Sequence, residues 1–296
     1  MSKSSLPSIE NSIIESFNLP QNIHGHELFI LREDLIHSLI SGNKWRKLSY
    51  VISEAKKRGV HGIITYGGAF SNHLVATATA CKLYEIPCIL RVRGNELTSD
   101  SNVYLKHCES EGASLEFLER ELYKHQKYSD TVITYLNKIW LSVPEGGASE
   151  LGLKGCLEII SDDMDFDIIA LAQGTTTTSL GVLLSSKSPT EVWAFPVLKG
   201  FDSVSEMDAL ARKFNRTSAW TAAKTRLKCF DSYHFSGYAK NNEALSQALS
   251  DLKIEGNFEL DPIYTAKAFI GMISELQNIN QPKKVLFIHT GGVLPI

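Results

Sequence analysis

The run Ile168-Ile169-Ala170-Leu171-Ala172-Gln173-Gly174-Thr175-Thr176-Thr177-Thr178-Ser179-Leu180-Gly181-Val182-Leu183-Leu184 decides how this chain is read. Its unbroken apolar stretch through Ala172 suits a strand covered on both faces, because a half-exposed strand alternates apolar with polar residues. Gly174 allows a tight turn, four hydroxyl side chains follow, and Ser179 to Leu184 opens as a helix. Backbone N–H groups at such a helix start carry partial positive charge, so with the threonine hydroxyls they form a cradle suited to a phosphate. The plainer reading is that Thr178 or Ser179 simply caps the helix. A Walker loop is disfavoured because no Lys-Ser or Lys-Thr closes the turn, and no GxGxxG is present for a dinucleotide.

The same strand-to-helix rhythm extends in both directions. Candidate strands are Gly62 to Tyr66, Cys88 to Val92, Leu115 to Leu118, Ile139 to Val143, Asp167 to Leu171, Val192 to Val197, Leu227 to Phe230 and Val285 to His289. Lys47 to Arg58 and Pro262 to Leu276 place apolar residues at helical spacing between them. The alternation predicts an α/β protein with mainly parallel sheets covered by helices. At 296 residues the chain is long for one core, so two lobes are expected, sharing crossing segments because no linker separates them.

Composition narrows the partner. With 43% hydrophobic and 21% charged residues the chain is neither disordered nor a disulfide-stapled mini-protein. Thirty basic against thirty-three acidic residues leave a net charge of -3, which recruits neither nucleic acid nor an anionic membrane. A small molecule is the expected ligand. Apolar stretches are too short to span a membrane, and the start Met-Ser-Lys-Ser-Ser-Leu-Pro has no secretory core. Five cysteines without a CxxC pair fit reduced thiols in the cytoplasm and no metal site.

Ligands of parallel sheets sit where strands end and helices begin. Three further segments carry unusual residues at such places: Ser41-Gly42-Asn43-Lys44-Trp45-Arg46-Lys47-Leu48, Gly67-Gly68-Ala69-Phe70-Ser71-Asn72-His73, and His289-Thr290-Gly291-Gly292. Lys44, Arg46 and Lys47 oppose the dipole of the helix they open; an anionic ligand offsets that cost, and a solvated helix start tolerates it. Ser71, Asn72 and His73 offer hydroxyl, amide and imidazole at the start of a helix beginning near Leu74, or a simple Ser or Asn cap.

Together these segments, with Pro-Glu-Gly-Gly-Ala-Ser-Glu-Leu-Gly at 144 to 152 and Asp-Pro-Ile-Tyr-Thr-Ala-Lys at 261 to 267, resemble the fold-type II pyridoxal-phosphate enzymes. Within that group the resemblance is to the family of D-cysteine desulfhydrase and 1-aminocyclopropane-1-carboxylate (ACC) deaminase. It implies a two-domain, tryptophan synthase β-like fold, with residues 1–46 and 156–296 forming a large cofactor domain and 47–155 a small one. It implies pyridoxal 5'-phosphate on Lys44, its phosphate at Gly174, Thr175, Thr176, Thr177 and Thr178, and Asn72 beside its ring oxygen. Ser71 falls at the substrate carboxylate as a candidate nucleophile or proton carrier, with Asn72, His73 and Tyr264 lining the substrate; Thr265 or Thr290 falls near the pyridine nitrogen. A homodimer is implied too.

The resemblance also ranks the chemistry. A hydroxyl at the pyridine nitrogen moderates the cofactor as an electron sink, which suits loss of a β-substituent such as thiolate. ACC deaminases, as the resemblance implies, have a Tyr-Glu pair where this chain has Tyr264-Thr265, and glutamine where it has His73. D-cysteine desulfhydrase-like elimination is therefore the expected activity, ahead of ACC ring opening and of a non-catalytic cofactor-binding protein. The threonine-rich cup has less glycine than is usual in fold-type II enzymes, and relatives are expected to continue further past Gly292. Trp45 is expected to pack between the lobes.

Overall fold

A computed structural model describes residues 6–19, 23, 25–40, 42–235, 243–252 and 256–294. In chain order the elements are β1 (Ile14–Ser16), β2 (Glu27–Leu31), α1 (Asn43–Arg58), β3 (Gly62–Gly67), α2 (Asn72–Leu83), β4 (Cys88–Arg93), α3 (Val103–Ser110), β5 (Ser114–Leu118), α4 (Arg120–Gln126), β6 (Thr131–Tyr135), β7 (Lys138–Val143) and α5 (Glu150–Cys156). After these come β8 (Ile168–Gln173), α6 (Thr177–Ser185), β9 (Glu191–Pro196), α7 (Ser203–Lys213), α8 (Thr217–Ala223), β10 (Leu227–Cys229), α9 (Glu243–Leu252), α10 (Thr265–Leu276) and β11 (Lys284–Ile288). The α/β class follows directly, and each of the eight sequence-derived strands is present.

The chain divides into two compact units, one of residues 1–7, 37–155 and 294–296, the other of 8–36 and 156–293. A boundary at 46/47 cuts the first turn of α1; the compact unit instead begins at His37. Gly155 helps to set that limit, since a Cβ on it meets the Arg46 carbonyl oxygen at 1.8 Å. Trp45, expected to pack between lobes, stacks on Tyr84 of its own unit, ring centroids 5.7 Å apart.

The first unit is built on a five-stranded sheet of order β5-β4-β3-β7-β6, parallel except for β6 against β7. All six residues of β3 are buried, which explains their lack of alternation. From β3 the chain steps outward to β4 and β5, then returns to lay β7 on the other side of β3. The strand order therefore reverses between β3 and β7, the place where a parallel sheet opens a crevice at its carboxyl ends.

The second unit repeats the logic with a six-stranded sheet of order β1-β2-β11-β8-β9-β10, antiparallel only at β1. Its order reverses between β8 and β11. The core joins Ile168, Ala170, Trp193, Phe195, Val285 and Phe287 to Phe269, Met272 and Ile273 of α10, the apolar face that the helical spacing predicts. Gly271 lets α10 approach, because a Cβ there meets the Phe195 ring at 2.6 Å. Among the described residues no helix is long and apolar enough to cross a membrane. The cysteines are unbridged, with Cys81, Cys88, Cys108 and Cys156 buried and Cys229 exposed.

Candidate active site

Each reversal point carries the segments singled out in the sequence. In the first unit β3 leads into Gly67 to His73 and β7 into Pro144 to Ser149. Ser71 caps α2, its Oγ accepting from Leu74 N at 3.4 Å, which leaves the hydroxyl proton available to donate. Asn72 and His73 follow in the first turn and both are buried. The cap reading of this segment thus holds for Ser71, but it leaves Asn72 Oδ1 and His73 Nδ1 as buried acceptors without a hydrogen-bond partner. Such atoms cost roughly 1–3 kcal/mol each when left unsatisfied, so they mark a place made for a ligand.

Lys44 lies in the first turn of α1, entered through Gly42 at φ 60°, ψ -138°, a backbone state open in practice only to glycine. The three cations of this turn take different roles. Lys44 is half-buried and its Nζ donates to Asn43 Oδ1 at 2.8 Å. Arg46 is buried. Lys47, 1% exposed, donates to the Gly146 carbonyl oxygen at 2.9 Å. The solvated helix start is thereby excluded. Burial and the charges of Lys44 and Lys47 hold the His73 imidazole well below its ordinary range, so it is neutral at physiological pH.

In the second unit β8 ends at Gln173 and α6 begins at Thr177. The N-cap residue is Thr176, and its side chain makes no capping bond; neither Thr178 nor Ser179 caps the helix. Thr176, Thr177, Thr178 and Ser179 are all buried, and the hydroxyls of Thr177 and Ser179 have no partner. A nine-residue helix whose first-turn N–H groups are uncapped, with unsatisfied hydroxyls buried beside them, has the donor set that a phosphate requires. Gly174 lies under the ring of Tyr264, where a Cβ at 174 meets Cε1 at 2.9 Å. Two distant segments of the sequence are thus brought together.

Asp261 explains the neighbouring motif. Its carboxylate accepts from the N–H groups of Ile263, Tyr264 and Thr265, each at 2.9 Å, and so opens α10. Thr265 closes the same turn, donating to Asp261 Oδ2 at 2.9 Å and accepting from Asp261 N at 2.8 Å. Its hydroxyl is spent within the turn. Beyond β11, His289 directs Nε2 at the Glu259 carbonyl oxygen, 2.6 Å away, and Nδ1 accepts from Gly291 N at 3.2 Å. The imidazole hydrogen therefore lies on Nε2, and the ring fixes the loop that carries Thr290. Sequence reasoning met Lys47, Asp261 and His289 within its motifs but gave them no such roles; the acidic residue just ahead of an amphipathic helix was a readable signal for the second.

The chain is similar over most of its length to several known proteins. The bifunctional D-cysteine desulfhydrase/1-aminocyclopropane-1-carboxylate deaminase, mitochondrial, of Arabidopsis thaliana is 29% identical over 316 residues, covering 95% of this chain and 76% of its own. The D-cysteine desulfhydrase of Salmonella choleraesuis is 27% identical over 302 residues, covering 90% and 87%. A crystal structure of an ACC deaminase homologue superposes with a TM-score of 0.77 at 25% identity, covering 98% of this chain and 91% of that one. The family described as pyridoxal-phosphate dependent enzyme matches residues 7–291. Matched over nearly its whole length, the chain belongs to the pyridoxal-phosphate dependent enzymes.

Proposed function

We propose that the chain is a lyase acting on a small amino acid, with D-cysteine as the preferred substrate. In the net reaction the Cα–H, Cα–N and Cβ–S bonds break, Cβ gains a proton, water supplies the keto oxygen, and a 2-oxo acid, ammonia and sulfide are released. Pyridoxal 5'-phosphate, when bound, draws off the electron pair left at Cα. The Lys44 amine would hold the cofactor and, as a free amine, would take the Cα proton. Thr177 and the uncapped N–H groups of α6 bind the phosphate, with Gly174 to Thr178 as the cup. Asn72 meets the ring oxygen, Ser71 donates to the substrate carboxylate, and Tyr264 stands over the cup at Gly174. Thr290 rather than Thr265 serves the pyridine nitrogen, because the Thr265 hydroxyl is engaged with Asp261.

The observation that carries the choice of substrate is Thr265 itself. Where ACC deaminases have a glutamate, this chain has a buried hydroxyl closed into its own turn, so that carboxylate is missing from the electron sink. The second reading, ACC opened to 2-oxobutanoate and ammonia, rests on the name of the bifunctional Arabidopsis relative. Assaying D-cysteine, L-cysteine and ACC side by side for 2-oxo acid separates the two. D-cysteine is expected to turn over fastest; faster turnover of ACC overturns the ranking, and cofactor binding without any turnover makes the chain a non-catalytic binder. We further place the protein in the cytoplasm, in keeping with its unpaired thiols, and as a homodimer, with exposed Ile9, Ile13 and Ile14 near edge strand β1. Light scattering of the holoenzyme tests the dimer.

A further inference from the structure

The His73 ring is held in one tautomer by a residue that the proposed chemistry does not use. His73 Nε2 lies 2.9 Å from Thr65 Oγ1, and Thr65 Oγ1 donates its only proton to the Val143 carbonyl oxygen at 3.0 Å. Thr65 and Val143 face each other in the register of β3 and β7, so this acceptor is built into the sheet. A hydroxyl whose proton is spent can only accept, so the ring hydrogen sits on Nε2. Nδ1 then presents a lone pair, and it is buried without a hydrogen-bond partner. The ring cannot readily turn to exchange its nitrogens. Gly147, at φ +72°, packs on it so closely that a Cβ there meets His73 Cε1 at 3.3 Å and Lys47 Cδ at 3.2 Å, and Lys47 ties that loop down through the Gly146 carbonyl.

A buried lone pair with no donor facing it is satisfied by a ligand that brings a proton. A carboxylate brings none, whereas an ammonium group does. The nearby Lys44 ammonium already has Asn43 Oδ1 as an acceptor. We propose that Thr65 is a positioning residue that locks His73 as a hydrogen-bond acceptor at Nδ1, and that this acceptor receives the ammonium group of the incoming amino acid. The proposal deepens the reading of the chain as an amino-acid lyase and rests on it for the substrate class, but the lock itself does not. It also gives the histidine a use that glutamine does not reproduce, since a Gln side chain reaching Thr65 leaves no acceptor at the Nδ1 position.

The test uses the full chain labelled with 15N-histidine, cofactor-loaded and cofactor-free. Long-range 1H–15N correlation, with His73→Gln to assign the signal, is expected to show His73 protonated at Nε2 alone. Thr65→Ser keeps that pattern and Thr65→Val shifts it toward a mixture of tautomers. In parallel, Thr65→Val and His73→Gln raise KM for D-cysteine about tenfold with kcat held within about threefold. Binding of 3-mercaptopropanoate, the same molecule without its amine, stays unchanged. A wild-type ring protonated at Nδ1 overturns the proposal, and that result needs no variant to fold. Equal losses for D-cysteine and 3-mercaptopropanoate overturn the ammonium assignment. Should the wild type not turn over D-cysteine, the substrate reading fails while the tautomer result still stands or falls alone.

Discussion

Replacing Thr177 by valine should move the cofactor-free and cofactor-loaded proteins in opposite directions. Thr177 is fully buried at the start of α6, and its hydroxyl has no partner. An unsatisfied buried hydroxyl costs roughly 1–3 kcal/mol. Valine has nearly the same shape and the same β-branch, so helix propensity and packing hardly change. Cofactor-free protein should therefore gain about 1 kcal/mol, a rise in midpoint of the order of 2–4 °C in thermal unfolding. In the loaded protein the proposed cup has the same hydroxyl donate to the phosphate, a bond to a charged group worth about 1.5–3 kcal/mol. Affinity for pyridoxal phosphate should fall about 10- to 150-fold. Equilibrium dialysis measures this, with pyridoxal lacking the phosphate as the control that stays unchanged. A variant that loses cofactor-free stability and binds pyridoxal phosphate as tightly as the wild type refutes the cup at Thr177.

Other consequences follow from the same contacts. Asp261→Ala removes the acceptor of three N–H groups and of the Thr265 hydroxyl; it should cost about 2–3 kcal/mol in urea unfolding and slow turnover, because Tyr264 loses its anchored backbone. His73 has a depressed pKa in the folded protein, so the unfolded chain binds the extra proton first as pH falls. Below about pH 6.5 it should therefore cost stability at up to ~1.4 kcal/mol per pH unit, fully recovered above that pH. His73→Gln should flatten this part of the wild-type profile, and identical profiles would contradict it. Thiol titration of the native protein should label Cys229 first, since the other four thiols are buried and burial, together with the neighbouring Cys88, pushes Cys108 up to about 12.

The strands covered on both faces were legible because burial leaves continuous apolar runs, as in Ile168 to Ala172 and Ile63 to Tyr66. The strands that went unread include β1 and β6, the antiparallel additions at the sheet edges, where a short exposed segment carries little pattern. The motif loops at the ends of β3, β8 and β11 were recognisable, since glycine, hydroxyl and amide residues after an apolar strand are chemically conspicuous. What each side chain does there was less so. Lys44, Arg46 and Lys47 read alike in sequence, yet burial separates them and commits Lys47 to the Gly146 carbonyl. Thr65 looked like an ordinary strand residue, because its pairing with Val143 joins positions 78 residues apart. The N-cap of α6 fell at Thr176 rather than Thr178 or Ser179, and the buried hydroxyls of Thr177 and Ser179 are left without a partner.

The central claim is that Lys44 carries pyridoxal phosphate in a working lyase. Borohydride reduction of the holoenzyme followed by peptide mass mapping tests it directly. The phosphopyridoxyl mass is expected on Lys44 alone, with Lys44→Ala abolishing both the adduct and, by orders of magnitude, the release of 2-oxo acid from D-cysteine. An adduct on Lys47, or near-normal turnover by Lys44→Ala, contradicts it.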